Sequence, residues 1–136
     1  MQISKYFRFK EFPFYAVKNV DFNGIEWLHN FGQIPQILDL DNLSKPLWIT
    51  KKLICSYFPQ NSKELSNLLS KVVVCDINYL EIENQILTFE EFKFLSARKN
   101  ITTFEFSFSQ IEYGNGEIMS MDELIKCLPK IKNFYL

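Results

Sequence analysis

The sequence predicts an α/β fold in which short parallel strands, each followed by a helix, stack into a curved sheet with the helices on its convex side. Three observations predict it: an apolar frame that recurs along the chain, two helix-start motifs that follow the frame, and a glycine turn where the spacing lengthens. Val72, Cys75, Ile77, Leu80 and Ile82 stand at offsets 0, 3, 5, 8 and 10. Ile101, Phe104, Phe106, Ser109 and Ile111 occupy the same offsets, and Ile131, Phe134 and Leu136 begin them again. The starts lie 29 and 30 residues apart.

That spacing is the frame of a leucine-rich repeat, in which a short strand sends alternate side chains inward and a bend turns the last frame position back to the core. The fold expected is therefore a leucine-rich-repeat-like short solenoid. It occupies residues 1–136 as a single domain, with 1–45 as a degenerate leading part and 46–136 as clearer strand–helix repeats.

In chain order, Val17, Val20, Phe22, Ile25 and Trp27 fit the frame, and Leu38-Asp39-Leu40 with Leu43 fits the middle of a weaker copy that carries Pro35 at an apolar position. Ile49, Leu53 and Tyr57 fall on one helical face, so a helix is expected from Pro46 to Phe58, capped near Ser44. Asn61-Ser62-Lys63-Glu64 reads as another helix start, with Leu65, Leu68 and Leu69 leading into the Val72 strand. Thr88-Phe89-Glu90-Glu91 and Ser120-Met121-Asp122-Glu123 are capping boxes, in which a hydroxyl and a carboxylate satisfy the first free amides of a helix reciprocally. Gly114-Asn115-Gly116 marks a turn that absorbs extra length, and Pro129 ends the last helix.

Composition narrows the function classes. The 136 residues are 47% hydrophobic, with 14 Phe, 6 Tyr and 2 Trp, enough apolar surface for one ordered core. Net charge is −1, which gives no electrostatic footprint for a nucleic acid or an anionic membrane. No apolar run is long enough for a membrane span, and the N-terminus has no secretory signal pattern. Three cysteines, Cys55, Cys75 and Cys127, lie in apolar patterns without a CxxC pair. A cytoplasmic or nuclear location is expected.

No catalytic constellation stands out. The single histidine, His29, has no partners at metal-ligand spacing, and no cysteine or serine carries a nucleophile motif. The glycine turn lacks the Lys-Ser/Thr that follows a phosphate loop. The chain is expected to be no enzyme and to need no metal or cofactor. The pattern that remains is the residue between the two inward positions of each strand, which faces outward on the concave side. It is Asp21, Asp39, Asp76 and Glu105 in four candidate strands and Tyr135 in the fifth. Like charges on neighbouring strands repel, so such a row suits either a protein partner with a basic segment or an exposed sheet kept soluble and protected from edge pairing. An alternative is a small-ligand binder or enzyme with a pocket in the aromatic-rich stretch around Phe12-Pro13-Phe14-Tyr15.

Leu87-Thr88-Phe89-Glu90-Glu91-Phe92-Lys93-Phe94-Leu95, Ile111-Glu112-Tyr113-Gly114-Asn115-Gly116-Glu117-Ile118 and Leu128-Pro129-Lys130-Ile131-Lys132-Asn133-Phe134 together resemble the C-terminal repeat region of nematode F-box proteins. That resemblance implies the substrate-recognition part of a ubiquitin-ligase subunit. No stretch reads as the F-box helix led by Leu-Pro-x-Glu, so a cullin adaptor is implied only for a longer parent chain. Leu80 and Ser109 also stand where the repeats of typical members carry Asn or Cys.

Overall fold

The computed structural model describes residues 13–31, 34–56 and 64–136. In chain order these form β1 (Tyr15–Phe22), β2 (Trp27–Phe31), β3 (Ile34–Ile37), β4 (Leu47–Cys55), α1 (Glu64–Leu69), β5 (Val72–Cys75), β6 (Tyr79–Glu83), β7 (Ile86–Thr88), α2 (Phe89–Ser96), β8 (Thr103–Ser107), β9 (Gln110–Glu112), α3 (Met121–Lys126) and β10 (Asn133–Tyr135). The main sheet runs β10-β8-β6-β4-β1-β2-β3, with β5 beside the first half of β4. A second sheet pairs β7 with β9.

The architecture corrects the expected all-parallel solenoid: the main sheet is mixed. β4, β6, β8 and β10 are parallel neighbours, while β1-β2 and β2-β3 are antiparallel. The cause is the turn at Asn23-Gly24. The Asn23 side-chain oxygen accepts from the amides of Ile25 and Glu26 at 2.9 and 2.8 Å, and Gly24 takes a φ of 100° that a side chain would disfavour. The chain reverses within four residues, whereas a parallel neighbour needs a crossover of about a dozen. Ile25, assigned to a frame position, sits at the tip of this turn and is 85% exposed.

A second correction concerns the helix expected from Pro46 to Phe58: β4 occupies Leu47–Cys55 in its place, and Tyr57 and Phe58 lie outside the described residues. Leu47, Ile49, Leu53 and Cys55 are all buried, one face of an alternating strand on which Lys51 alone is only partly buried. Opposite β1 the register passes from Val17/Ile49 to Asn19/Lys52, so β4 bulges at Thr50-Lys51. Ile49 and Leu53 stand four residues apart, a spacing that falls on one face of a strand as well as of a helix, so the sequence does not separate the two. The bulge marks where β4 exchanges one neighbour for another, pairing with β5 through Ile49 and with β6 from Lys52.

The core lies between the inner face of the sheet and the helices. Leu53, Leu80 and Phe104 align across β4, β6 and β8, and all three are fully buried. Leu65 and Leu68 of α1, Phe92 and Leu95 of α2 and Leu124 of α3 cover them. The Phe104 ring stacks 6.1 Å from Phe92 and meets Phe106 and Phe134 at 5.2 and 5.5 Å. Cys75, Ile77, Phe104 and Phe106 point inward as expected, but Leu136 is 77% exposed because β10 stops at Tyr135. Both capping boxes are present, Thr88 with Glu91 and Ser120 with Glu123.

Phe104 fills the centre of an aromatic cluster, while the Thr88 hydroxyl satisfies the Glu91 amide at one helix end. Phe104→Ala is expected to cost about 3–5 kcal/mol. Thr88→Ala and Ser120→Ala should each cost about 0.5–2 kcal/mol. Urea unfolding of the three variants checks the order, and a cap variant as damaging as Phe104→Ala would contradict it.

Candidate functional site

The strand registers bring five residues into one line across the sheet: Asp21, Ile54, Glu81, Glu105 and Tyr135. Their chain neighbours Val20, Leu53, Leu80 and Phe104 are buried, so by alternation these five face away from the helices. The next line on the same face is Asn19, Lys52, Tyr79, Thr103 and Asn133.

Of the residues singled out in the sequence, Glu105 and Tyr135 stand together on adjacent strands. Asp21 is in the same line, but Ile54 separates it from Glu81 by two strand spacings, roughly 10 Å. Asp39 lies in no strand. It caps the short 3₁₀ turn Leu40–Asn42, accepting from the Asp41 amide at 3.2 Å and from the Asn42 side chain at 2.7 Å. Asp76 follows β5 at the corner before β6, where its amide donates to the Ile49 carbonyl at 2.8 Å and its carboxylate accepts from Asn100 Nδ2 at 2.9 Å. Lys130 Nζ in turn donates to Asn100 Oδ1 at 2.9 Å, so this carboxylate belongs to a chain of bonds tying three corners together.

Glu81, Tyr79 and Lys52 are the residues the sequence frame missed. The frame offsets 0, 3 and 5 coincide with 5, 8 and 10 when shifted by five residues, so the pattern overlaps itself. The structure aligns Ile77, Leu80, Ile82, Gln85 and Leu87 with Ile101, Phe104, Phe106, Ser109 and Ile111. The start at Val72 is therefore five residues early. The correct frame places Glu81 opposite Glu105, and the 24-residue spacing from Tyr79 to Thr103 was the signal that could have found it.

Tyr79 joins the two carboxylates. Its hydroxyl donates to Glu105 Oε2 at 3.0 Å and to Glu81 Oε1 at 3.2 Å, one hydrogen shared between two acceptors. Lys52 Nζ lies 5.3 Å from the centre of the Tyr79 ring, a cation held by an aromatic face. Burial pushes the Glu81 carboxyl up, and Glu105 adds to this by carboxyl–carboxyl hydrogen bonding and by repulsion, against bonds from Tyr79 and Ser56 that favour the anion. Burial, then the bond and charge of Glu105, push the Tyr79 phenol well up, so it stays a donor. Burial also raises the Asp21 carboxyl. Two unit charges one strand spacing apart repel by about 1 kcal/mol in water and about 3 kcal/mol at an effective dielectric of 20. Solvent reaches these half-buried groups, which places the cost between those bounds.

Elsewhere, His29 lies on β2 opposite Val20, with a buried Nδ1 that has no hydrogen-bond partner among the described residues, and burial favours its neutral form. It is not brought to the acidic line. Of the aromatic stretch proposed as a pocket, Phe12 falls outside the described residues. The Tyr15 hydroxyl is spent on Ser44 Oγ at 2.6 Å, with Lys45 Nζ 5.7 Å from its ring. Beside a cleft of about 650 Å³ that Trp27, Asp39, Asp41 and Lys71 help to line, a cleft of about 720 Å³ lies at the other end, between Ile86, Ser107, Phe108, Gln110, Met121 and Leu136. No charged side chain lines it. Among the described residues no group of three or more His, Cys, Asp or Glu side chains could hold a metal ion. No helix among them is long and apolar enough to cross a membrane.

Comparison with known protein families, with curated proteins and with solved structures finds no match.

The raised Glu81 carboxyl has a consequence for stability. The folded chain holds this proton more tightly than the unfolded chain, so the group stabilises fully below the ordinary carboxylate range and loses that contribution as pH rises through its raised value. Gln imitates the protonated acid and cannot ionise. Relative to the parent, Glu81→Gln should therefore gain thermal midpoint between about pH 4 and about pH 8. A constant difference at both ends, measured by calorimetry, would show that no such proton is held.

Proposed function

We propose that this chain binds a protein partner through the outer face of its main sheet, accepting a basic segment across Asp21, Glu81, Glu105 and Tyr135. The observation that carries this reading is the alignment itself: Glu81 and Glu105 stand side by side, with Tyr79 donating to both. The core-forming helix residues lie on the opposite side with the inward row. Neither carboxylate has an ion-pair partner among the described residues. Lysine or arginine from a partner would supply the missing opposite charge.

Other features support the setting of such a module. Cys55 and Cys75 are buried thiols outside any disulfide, and burial pushes Cys75 up to about 12, far from a reactive thiolate. Inert reduced thiols fit a cytoplasmic or nuclear protein. A place in a ubiquitin ligase rests on the resemblance to nematode F-box proteins, and recovery of a cullin adaptor with a longer parent chain is its test.

The double variant Glu81→Gln/Glu105→Gln removes both charges while keeping size and hydrogen-bonding capacity. Two exposed ion pairs at about 0.2–1 kcal/mol each predict that a Lys/Arg-rich peptide loses about 2- to 30-fold in affinity. Added salt should weaken the parent in the same direction and the variant less. Fluorescence anisotropy with a labelled peptide reads both effects, and unchanged affinity together with an unchanged salt response refutes the acidic face as the contact.

A further inference from the structure

We infer that Glu81 and Glu105 hold one shared proton while the face is free, and that docking of a basic segment expels this proton to solvent. The inference rests on the docking reading above and adds its control by pH. Three oxygens meet here, Glu81 Oε1, Tyr79 Oη and Glu105 Oε2, with the phenol 3.2 and 3.0 Å from the two carboxylates. With both acids ionised, the single phenolic hydrogen must serve two anions. One added proton resolves this, because a carboxylic O–H then bridges one contact and the phenol serves the other. Pairs of carboxylates that share a site keep a proton for this reason.

The surrounding charges do not remove the need for it. Asp21 on β1 and Glu83 on β6 are acidic and cannot neutralise the pair. Lys52 on β4 faces the Tyr79 ring at 5.3 Å and makes no ion pair with either acid. Tyr135 on β10 stands opposite Glu105, and Ser56 after β4 donates to Glu81. Burial acts in the same direction, since it disfavours a second charge on Glu81. A lysine or arginine placed over the pair reverses the balance, because it favours two anions. The proton then leaves the carboxyl for water or a buffer base, with no other bond made or broken.

Two measurements test this on the whole chain. The first is an NMR pH titration of the side-chain carboxyl carbons without any peptide. Glu81 should titrate above the ordinary carboxylate range and should move down in Glu105→Gln. The second is calorimetric titration with a synthetic Lys/Arg peptide in two buffers of different ionisation heat. Net proton release is expected for the parent and none for Glu81→Gln, with affinity rising by at most about tenfold per pH unit while the pair titrates. If Glu81 titrates in the ordinary carboxylate range, no proton is shared and the inference is overturned even where the peptide binds. Binding with heats that do not depend on the buffer overturns the expulsion. A retained proton with no peptide binding at any pH instead defeats the docking reading, and the coupling with it.

Discussion

Everything in this molecule depends on the lateral register of four parallel strands. Leu53, Leu80 and Phe104 can share one buried row only if β4, β6 and β8 are aligned to the residue. The corners hold that alignment. The Lys51 carbonyl accepts from Asn78, the Asn78 carbonyl from Thr102 and Thr103, and the Thr102 carbonyl from Lys132 and Asn133. Each strand is thus seated on the corner of the one before it. Because side chains alternate, fixing the inner row also fixes the outer one, and a slip of one residue would exchange the two. The acidic pair on the open face follows directly from the packing of leucine and phenylalanine beneath it.

The two carboxylate groups described above illustrate what separates a structural acid from a reactive one. Asp76 sits at a corner where Asn100 meets its charge with a hydrogen bond, and Lys130 supports Asn100 from the next corner. That arrangement resolves locally and asks nothing of a partner. Glu81 and Glu105 share the Tyr79 hydroxyl, Ser56 adds a bond to Glu81, and neither acid has a cation in contact among the described residues. Solvent relieves such a face, and on the reading proposed above a shared proton and a cationic segment relieve it further.

Much of the local structure was legible in the sequence where one element answers to one chemical need. Thr88 with Glu91 and Ser120 with Glu123 announce helix starts, because the amides at a helix end must be satisfied whatever the fold around them. Glu105 and Tyr135 were placed correctly because the frames at Ile101 and Ile131 start where the structure starts them. Glu81 was hidden because a frame that overlaps itself after five residues admits two starts, and only strand pairing decides between them. The antiparallel part was hidden for a different reason. Asn23-Gly24 states a tight reversal in the sequence, but apolar residues on both sides also satisfied the repeat frame, and that longer pattern obscured the turn. In β4, Lys51 is polar where alternation calls for an apolar residue, and the four-residue step from Ile49 to Leu53 fits a helix face as well as a strand.

The two parallel units differ in length without differing in geometry. Tyr79 and Thr103 are 24 residues apart, and Thr103 and Asn133 are 30. β7 runs straight into α2, whereas residues 113–120 separate β9 from α3, and α3 is shorter than α2 by two residues. From each helix to the next strand the chain spends the same six residues, 97–102 and 127–132. The whole difference is therefore absorbed on one rim, in a segment closed by the Tyr113–Glu117 backbone bond and by Gly116 at a φ of 87°. Tolerance to insertion is thus polarised: the path from helix to strand behaves as a fixed gauge, and the path from β9 to α3 is the place where foreign loops can be grafted or lineages can diverge while the sheet keeps its shape.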